Sequence, residues 1–127
     1  FTYDPAGFIR RQLADEQFVI WGDGEEQREF LYIDDLLNII STLVGKDVVG
    51  VLNVVAGQSY TFKQALVHLQ TMISKPLDVT YRERSKEKVD HRFDNACLKA
   101  ALGDFQFTTL ITGMEKISAL SEVHDEV

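Results

Sequence analysis

The stretch VIWGDGEEQREFLYIDD, residues Val19–Asp35, decides the predicted fold. It overlaps a short apolar run, Phe18–Trp21, which is rich in strand-forming residues and is followed by the turn sequence Gly-Asp-Gly. The segment Glu29–Ile33 alternates as a second strand would, so the stretch predicts a hairpin. Asp34 or Asp35 can then accept the free N–H groups at the start of a helix.

The apolar periodicity of the remaining chain predicts a mixed α/β fold with three or four short strands and about five helices. Thr61 and Gln64 form a capping box, and Pro76 ends the helix that they begin. The segment VLNVV is apolar except for Asn53, which is typical of a strand covered on both faces. Helices are predicted over 6–14, 36–44, 62–73, 95–102 and 109–120, and further strands over 51–55 and 77–81.

The bulk composition is that of one globular domain. The chain has 127 residues, of which 45% are hydrophobic and 26% charged, enough to bury a core. We expect a domain over residues 1–120, followed by an acidic tail over 121–127 that frays. The formal net charge of -7 disfavours general nucleic-acid binding, which depends on phosphate neutralisation by Lys and Arg.

The sequence also indicates a compartment. No apolar run approaches the roughly 20 residues that cross a bilayer, so no membrane association is expected. The single cysteine, Cys97, cannot form an intrachain disulfide, and we expect a reducing, cytoplasmic location. The chain begins at Phe1 without a methionine or a secretory signal, and we interpret it as the cut end of a longer protein.

Catalytic and metal-binding patterns are absent from the sequence. The histidines His68, His91 and His124 are too far apart in sequence to predict a metal site. Cys97 has no histidine pattern beside it, and there is no glycine-rich nucleotide loop. We therefore predict no catalytic residue, no metal ligand and no cofactor-binding residue in this chain.

Arg28 is the ionisable residue that the local pattern explains least. It enters a predicted strand between Gln27 and Glu29, where a guanidinium could present a bidentate fork to a phosphate. A surface salt bridge is the simpler interpretation and, on residue chemistry alone, the favoured one.

Four motifs in order carry a family resemblance. They are VIWGDGEEQREFLYIDDL, GVLNVVAGQSYTFKQAL, FDNACLKAALGDFQFT and ITGMEKI, and together they span about residues 8–117. In this order they resemble the C-terminal part of the extended short-chain dehydrogenase/reductase family, the NAD-dependent sugar-nucleotide epimerases and dehydratases. The chain departs from the family pattern at LGDFQFTT, where Phe105 and Phe107 would supply the aromatic packing.

The resemblance implies a role for specific residues. By position, Arg28 would reach the diphosphate of a nucleotide-linked sugar, and the strand that carries Trp21 and Gly22 would border the nucleobase. The resemblance also implies a second arginine, for which three residues are candidates: Arg82, Arg84 and Arg92. Three further matching positions are interpreted as structural: Asn53, Gly57 and the helix-capping Asp94.

The resemblance further implies what this chain lacks. The family binds NAD or NADP on an N-terminal Rossmann part and uses a Tyr-x-x-x-Lys pair, but no tyrosine here has lysine four residues later. We expect the parent enzyme to bind NAD or NADP and this substrate-binding fragment to bind neither and to be inactive. Its expected partners are a nucleotide diphosphate sugar and the missing Rossmann part. Without that part, we expect self-association through exposed apolar elements.

Two alternatives remain open. The chain could be a non-catalytic module that uses the same fold to bind protein or RNA partners. Within the enzyme interpretation, the sequence REFL loosely resembles the GDP-fucose-synthase type of epimerase and reductase.

Overall fold

A computed structural model describes residues 4–125 of the chain and the side chains of residues 4–120. The chain forms a mixed α/β fold with five helices and short strands in the part described, which confirms the predicted fold class. The elements in chain order are α1 (Pro5–Leu13), β1 (Phe18–Trp21), β2 (Gln27–Glu29), α2 (Ile33–Val44), β3 (Ser59–Thr61), α3 (Phe62–Met72), β4 (Val79–Arg82), α4 (Ala96–Leu102) and α5 (Leu110–Asp125). No helix in residues 4–125 has the length and apolarity needed to cross a membrane.

The strands form two separate two-stranded sheets. β1 pairs in parallel with β4, and β2 pairs antiparallel with β3. The predicted hairpin between the first two strands is therefore wrong. The Gly-Asp-Gly turn connects the sheets instead, because the Gly22 N–H donates to Arg82 O at 2.8 Å and Gly24 O accepts from the Lys63 N–H at 3.0 Å.

The second strand and the following helix also differ from the prediction. β2 ends at Glu29 and α2 already begins at Ile33, so a strand over 29–33 is wrong. Neither Asp34 nor Asp35 caps α2; the cap position belongs to Tyr32, whose side chain makes no capping bond. The helix ends at Gly45, as predicted.

The predicted strand over 51–55 is not formed. Val51 is 97% exposed, so the segment is not covered on both faces. Only Leu52 and Val54 pack against a buried cluster. The Asn53 side chain donates to Asp94 O at 3.1 Å, and the Asn95 side chain donates to Val55 O at 3.1 Å. The side-chain amides of Asn53 and Asn95 therefore bind this segment to the start of α4, and strand pairing does not.

The later helices follow the prediction with shifted ends. Thr61 and Gln64 form the predicted capping box of α3. Asp94 accepts from the Ala96 N–H at 2.8 Å, but the cap position of α4 itself is Asn95. α5 continues to Asp125, past the predicted end at residue 120, so part of the predicted tail is helical.

The buried side chains form two clusters. The first joins α1, β1, α3 and α5, and in it Phe8 makes edge-on contacts with Phe18 and Phe62 at centroid distances of 5.9 and 6.3 Å. The second joins α2 to α4, and Phe105 and Phe107 pack against it with their rings 5.0 Å apart. The expected aromatic packing by these two phenylalanines is confirmed.

Asp35 fixes α2 to the segment that leads into α5. Its side chain is buried, and its two oxygens accept from the N–H and the hydroxyl of Thr108 at 2.7 and 2.8 Å. A buried carboxylate is stable only when its hydrogen bonds are satisfied, and Thr108 supplies two of them.

We expect Asp35→Ala to lower the free energy of unfolding by about 2 kcal/mol, because it leaves two partly buried donors of Thr108 without an acceptor. The control is Asp34→Ala, which removes an exposed acidic residue from the same helix turn. Urea unfolding of both variants measures the difference. Equal losses of unfolding free energy in the two variants would mean that Asp35 stabilises the protein through the helix dipole and not through its contact with Thr108.

Candidate functional site

The guanidinium of Arg28 is held by three acceptors. Arg28 is the central residue of β2, and its side chain is 25% exposed. It donates to Gln27 O at 2.8 Å, to Val89 O, and to a carboxylate oxygen of Glu26 at 2.5 Å. Its Cζ atom also lies 5.6 Å from the ring centroid of Phe62, a cation–π distance.

A second guanidinium faces the same carboxylate. Arg84 follows β4, and its side chain is 19% exposed. Its Nη1 lies 3.8 Å from Glu26 Oε2, and its Nη2 lies 3.6 Å from Asp23 Oδ1. The carboxylate of Glu26 thus stands between two arginines, with one oxygen toward each. Of the three candidate second arginines, Arg84 is the one that shares an ion-pair partner with Arg28 in the described structure.

Gly22 provides the space for Arg84. Its φ of +82° is in the left-handed region that favours glycine, and a Cβ atom there would lie 2.3 Å from Arg84 Nη2. The guanidinium therefore lies directly over the Gly22 backbone. The structure brings together Gly22, Arg28 and Arg84 from the predicted site residues.

The other predicted residues lie around this centre. Trp21 is 44% exposed, and its ring centroid is 6.0 Å from the Cζ atom of Arg82, its neighbour across the β1–β4 pair. Arg92 donates through Nε to the side-chain oxygen of Gln27 at 2.6 Å. Arg82 and Arg92 therefore have partners other than Glu26.

The loop that carries these arginines is attached to the free edge of β2. The N–H of Gln27 donates to Asp90 at 2.9 Å, and its carbonyl accepts from the His91 N–H at 3.0 Å. Ser59 of β3 donates to His91 O at 2.7 Å. The connection between β4 and α4 is mostly exposed, but it also bonds to the edge of β2.

Two carboxylates around the arginines have a lowered pKa. The pKa of Asp23 lies below its ordinary value mainly because the Glu25 N–H donates to the carboxylate, with a further contribution from the positive charge of Arg84. The pKa of Asp90 is lowered mainly by the hydrogen bond from the Gln27 N–H, and Lys88 and Arg92 add to it. Both groups are therefore ionised at neutral pH.

Sequence reasoning missed Glu26. An acidic residue two positions before Arg28 is a signal for an ion pair, but a position directly after a Gly-Asp-Gly turn is also typical of a solvated side chain. In the structure its side chain is only 16% exposed, and it accepts from the Val89 N–H at 3.3 Å as well as from Arg28.

A separate cleft of about 400 Å³ lies between the start of α1, the β2–α2 connection and α5. Among its lining residues are Glu29 and Tyr32. Glu29 has one carboxylate oxygen that is buried without a hydrogen-bond partner, and the pKa of Tyr32 is raised mainly by burial, with a contribution from Asp34.

Among the described residues, no group of three His, Cys, Asp or Glu side chains could hold a metal ion.

Comparisons with known proteins identify relatives of this chain. Residues 5–55 match the sequence model of the NAD dependent epimerase/dehydratase family. A curated relative, UDP-glucuronic acid decarboxylase 1 of Xenopus tropicalis, is 22% identical over 117 residues, which cover 92% of this chain and 26% of the relative.

Solved structures agree over almost the whole chain. The NAD dependent NDP-hexosamine 5,6-dehydratase TunA, involved in tunicamycin biosynthesis, superposes with a TM-score of 0.83 at 21% identity over 96% of this chain and 41% of its own. UDP-glucose 4-epimerase of Thermotoga maritima superposes with a TM-score of 0.79 at 25% identity over 94% of this chain and 39% of its own. The chain therefore spans well under half the length of these relatives.

The fold is thus that of part of an extended short-chain dehydrogenase/reductase enzyme. More narrowly, residues 5–55 match the NAD dependent epimerase/dehydratase family, the family that the ordered motifs resemble.

We expect Gly22→Ala to displace the Arg84 guanidinium, because the new methyl group would occupy its position. The unfavourable φ should also lower the free energy of unfolding by about 1 kcal/mol. Gly50→Ala is the matched control, since Gly50 has a φ of +99° but no atom within 4 Å of the added Cβ. Urea unfolding should show similar losses in both variants, whereas the Arg84 Nε resonance should move only in Gly22→Ala. An unchanged Arg84 resonance would contradict the close contact.

Proposed function

We propose that this chain is the substrate-binding part of an NAD(P)-dependent sugar-nucleotide epimerase or dehydratase, and that Arg28 and Arg84 bind the diphosphate of the nucleotide sugar. The observation that carries the proposal is the convergence of two guanidiniums on the single carboxylate of Glu26. Two arginines that already hold one carboxylate can hold another anion of similar geometry in its place.

The surroundings of this arginine pair fit a nucleotide. Trp21 ends β1 with a half-exposed indole ring, directly before Gly22, and offers a flat apolar surface beside the charged groups. Aromatic rings of this kind stack on nucleobases. Supporting the substrate class, related epimerases were solved with UDP-glucose and with UDP-glucuronic acid. We therefore assign Trp21 and Gly22 to the nucleobase side of the site.

The cofactor of the family does not fit the residues present. Solved relatives hold NAD or NADPH. A dinucleotide site needs a parallel strand followed by a glycine-rich loop and a helix whose N-terminus receives the pyrophosphate. In residues 4–125, the one parallel pair is β1–β4, and the glycine turn after β1 leads to β2 and not to a helix. We propose that the groups for hydride and proton transfer belong to other residues of the parent enzyme.

Arg28→Ala should weaken binding of UDP-glucose by roughly 1 to 3 kcal/mol, the value of a hydrogen bond to a charged group. Arg11→Ala is the control, because Arg11 is also an arginine in an ion pair, with Glu16 at 3.3 Å, but lies on α1. Calorimetric titration of the 127-residue chain at low ionic strength measures both affinities. An unchanged affinity in Arg28→Ala would remove Arg28 from the site.

One face of α2 is apolar and exposed. Its four residues follow helical spacing, and their exposed fractions run from 50% to 82%: Ile33, Leu37, Ile40 and Val44. The relatives that superpose on this chain are more than twice as long, so a family-length chain has further residues to cover this face. In the isolated chain, self-association through the α2 face takes their place.

Leu37→Glu should shift the isolated chain toward the monomer, because it places a charge in the middle of the α2 face. Val67→Glu is the control, since Val67 is 55% exposed on α3 and lies outside that face. Sedimentation velocity over a range of concentrations distinguishes the two. A wild-type chain that remains monomeric at high concentration would contradict self-association.

A further inference from the structure

We propose that Glu26 is a built-in competitor for the anion site, so that a ligand must displace its carboxylate from Arg28 and Arg84 in order to bind. The inference rests on the proposed function of the arginine pair and adds a residue that controls its affinity.

The geometry shows that Glu26 occupies the position of a ligand. Its Oε1 lies 2.5 Å from Arg28 Nη2, and its Oε2 faces Arg84 Nη1 at 3.8 Å. A carboxylate with its two oxygens shared between two guanidiniums resembles a phosphate group bridging the same forks. With both side chains mostly buried and paired, Arg28 and Arg84 cannot make the same contacts to a ligand until Glu26 leaves.

The charges of the cluster favour a ligand with more than one negative charge. The two positive charges of Arg28 and Arg84 are balanced by the negative charges of Glu26 and Asp23. A ligand with a single negative charge only replaces the charge that it displaces and gains little. A diphosphate brings more negative charge than Glu26 removes, so it gains attraction from both guanidiniums. The site therefore favours a diphosphate over a singly charged anion.

The position of Glu26 in the chain allows it to move. It lies before the first residue of β2, outside regular secondary structure, and its backbone is not part of the β2–β3 pairing. The loop beside β2 is held by Gln27, Asp90 and His91, none of which bonds to the Glu26 side chain. Displacement of Glu26 thus breaks its side-chain contacts with Arg28, Arg84 and the Val89 N–H without breaking the sheet.

The first test compares Glu26→Gln with Glu25→Gln. Both variants lose one negative charge at neighbouring positions, but Glu25 pairs with Lys63 at 3.3 Å and with neither arginine. Titration with inorganic pyrophosphate at low ionic strength, followed by calorimetry and by the fluorescence of the single tryptophan, gives the affinities. We expect Glu26→Gln to bind about tenfold more tightly than wild type, a value discounted for partial solvent screening, and Glu25→Gln to change by less than about twofold.

Inorganic phosphate gives a second readout in the same titrations. Glu26→Gln should bind phosphate as well as pyrophosphate more tightly than wild type, because both anions lose the same competitor, and pyrophosphate should gain at least as much because it carries more negative charge. An unchanged affinity for both anions would overturn the competition.

Displacement can also be observed in the wild-type chain, so the proposal does not depend on a variant that folds. The Val89 N–H donates to Glu26, whereas the Gln27 N–H donates to Asp90. Saturating pyrophosphate should therefore shift the Val89 amide resonance much more than that of Gln27. A Val89 resonance that stays in place while pyrophosphate binds would overturn the displacement.

The outcomes separate this inference from the function on which it rests. Equal affinities of Glu26→Gln and Glu25→Gln, with binding that is lost in Arg28→Ala, would overturn the role of Glu26 and leave the arginine site in place. Pyrophosphate binding that is as tight in the double variant Arg28→Ala, Glu26→Gln as in Glu26→Gln alone would overturn the arginine site itself.

Discussion

The candidate site depends on the attachment of one loop to the free edge of β2 through Gln27. The N–H, the carbonyl and the side-chain amide of this residue each make a hydrogen bond, to Asp90, His91 and Arg92 in turn. A three-residue strand with one paired edge is marginal on its own. The loop bonds to the edge of β2 that is not paired with β3, and it therefore stabilises β2. These bonds also fix the path of the loop after Arg84.

The same strand connects the charged site to the apolar core. The guanidinium of Arg28 donates to Glu26 and also lies against the ring of Phe62, a member of the first buried cluster. Phe62 begins α3 directly after the capping residue Thr61, which pairs with Gln27 across β2 and β3. Thr61 therefore links the capping box of α3 to the β2–β3 register, and that register places Arg28 beside Phe62.

The sequence predicts the elements that local chemistry specifies and fails where a distant partner decides. The capping box of α3 and the strand Phe18–Trp21 form as predicted, because their signals lie within a few residues. The 51–55 segment has the composition of a strand but forms none, since its alternate residues are bound to the α4 region through Asn53 and Asn95. Arg28 is proposed as a site residue only from the order of motifs along the chain, and Glu26 is not predicted because its arginine partners are 2 and 58 positions away.

The predicted hairpin, which is wrong, would not bring Arg28 and Arg84 together, so the local pattern does not select Arg84 from the three candidate arginines. In a hairpin, β2 would lie on one edge of β1 while β4 occupies the other, and neighbouring strands are about 4.8 Å apart. Arg28 and Arg84 would then be separated by the full width of β1. Because the Gly-Asp-Gly turn instead carries the chain out of the first sheet, β2 forms a second sheet beside the end of β4. Arg84, which follows β4 of one sheet, and Arg28 of the other sheet meet at Glu26, on the connection between β1 and β2.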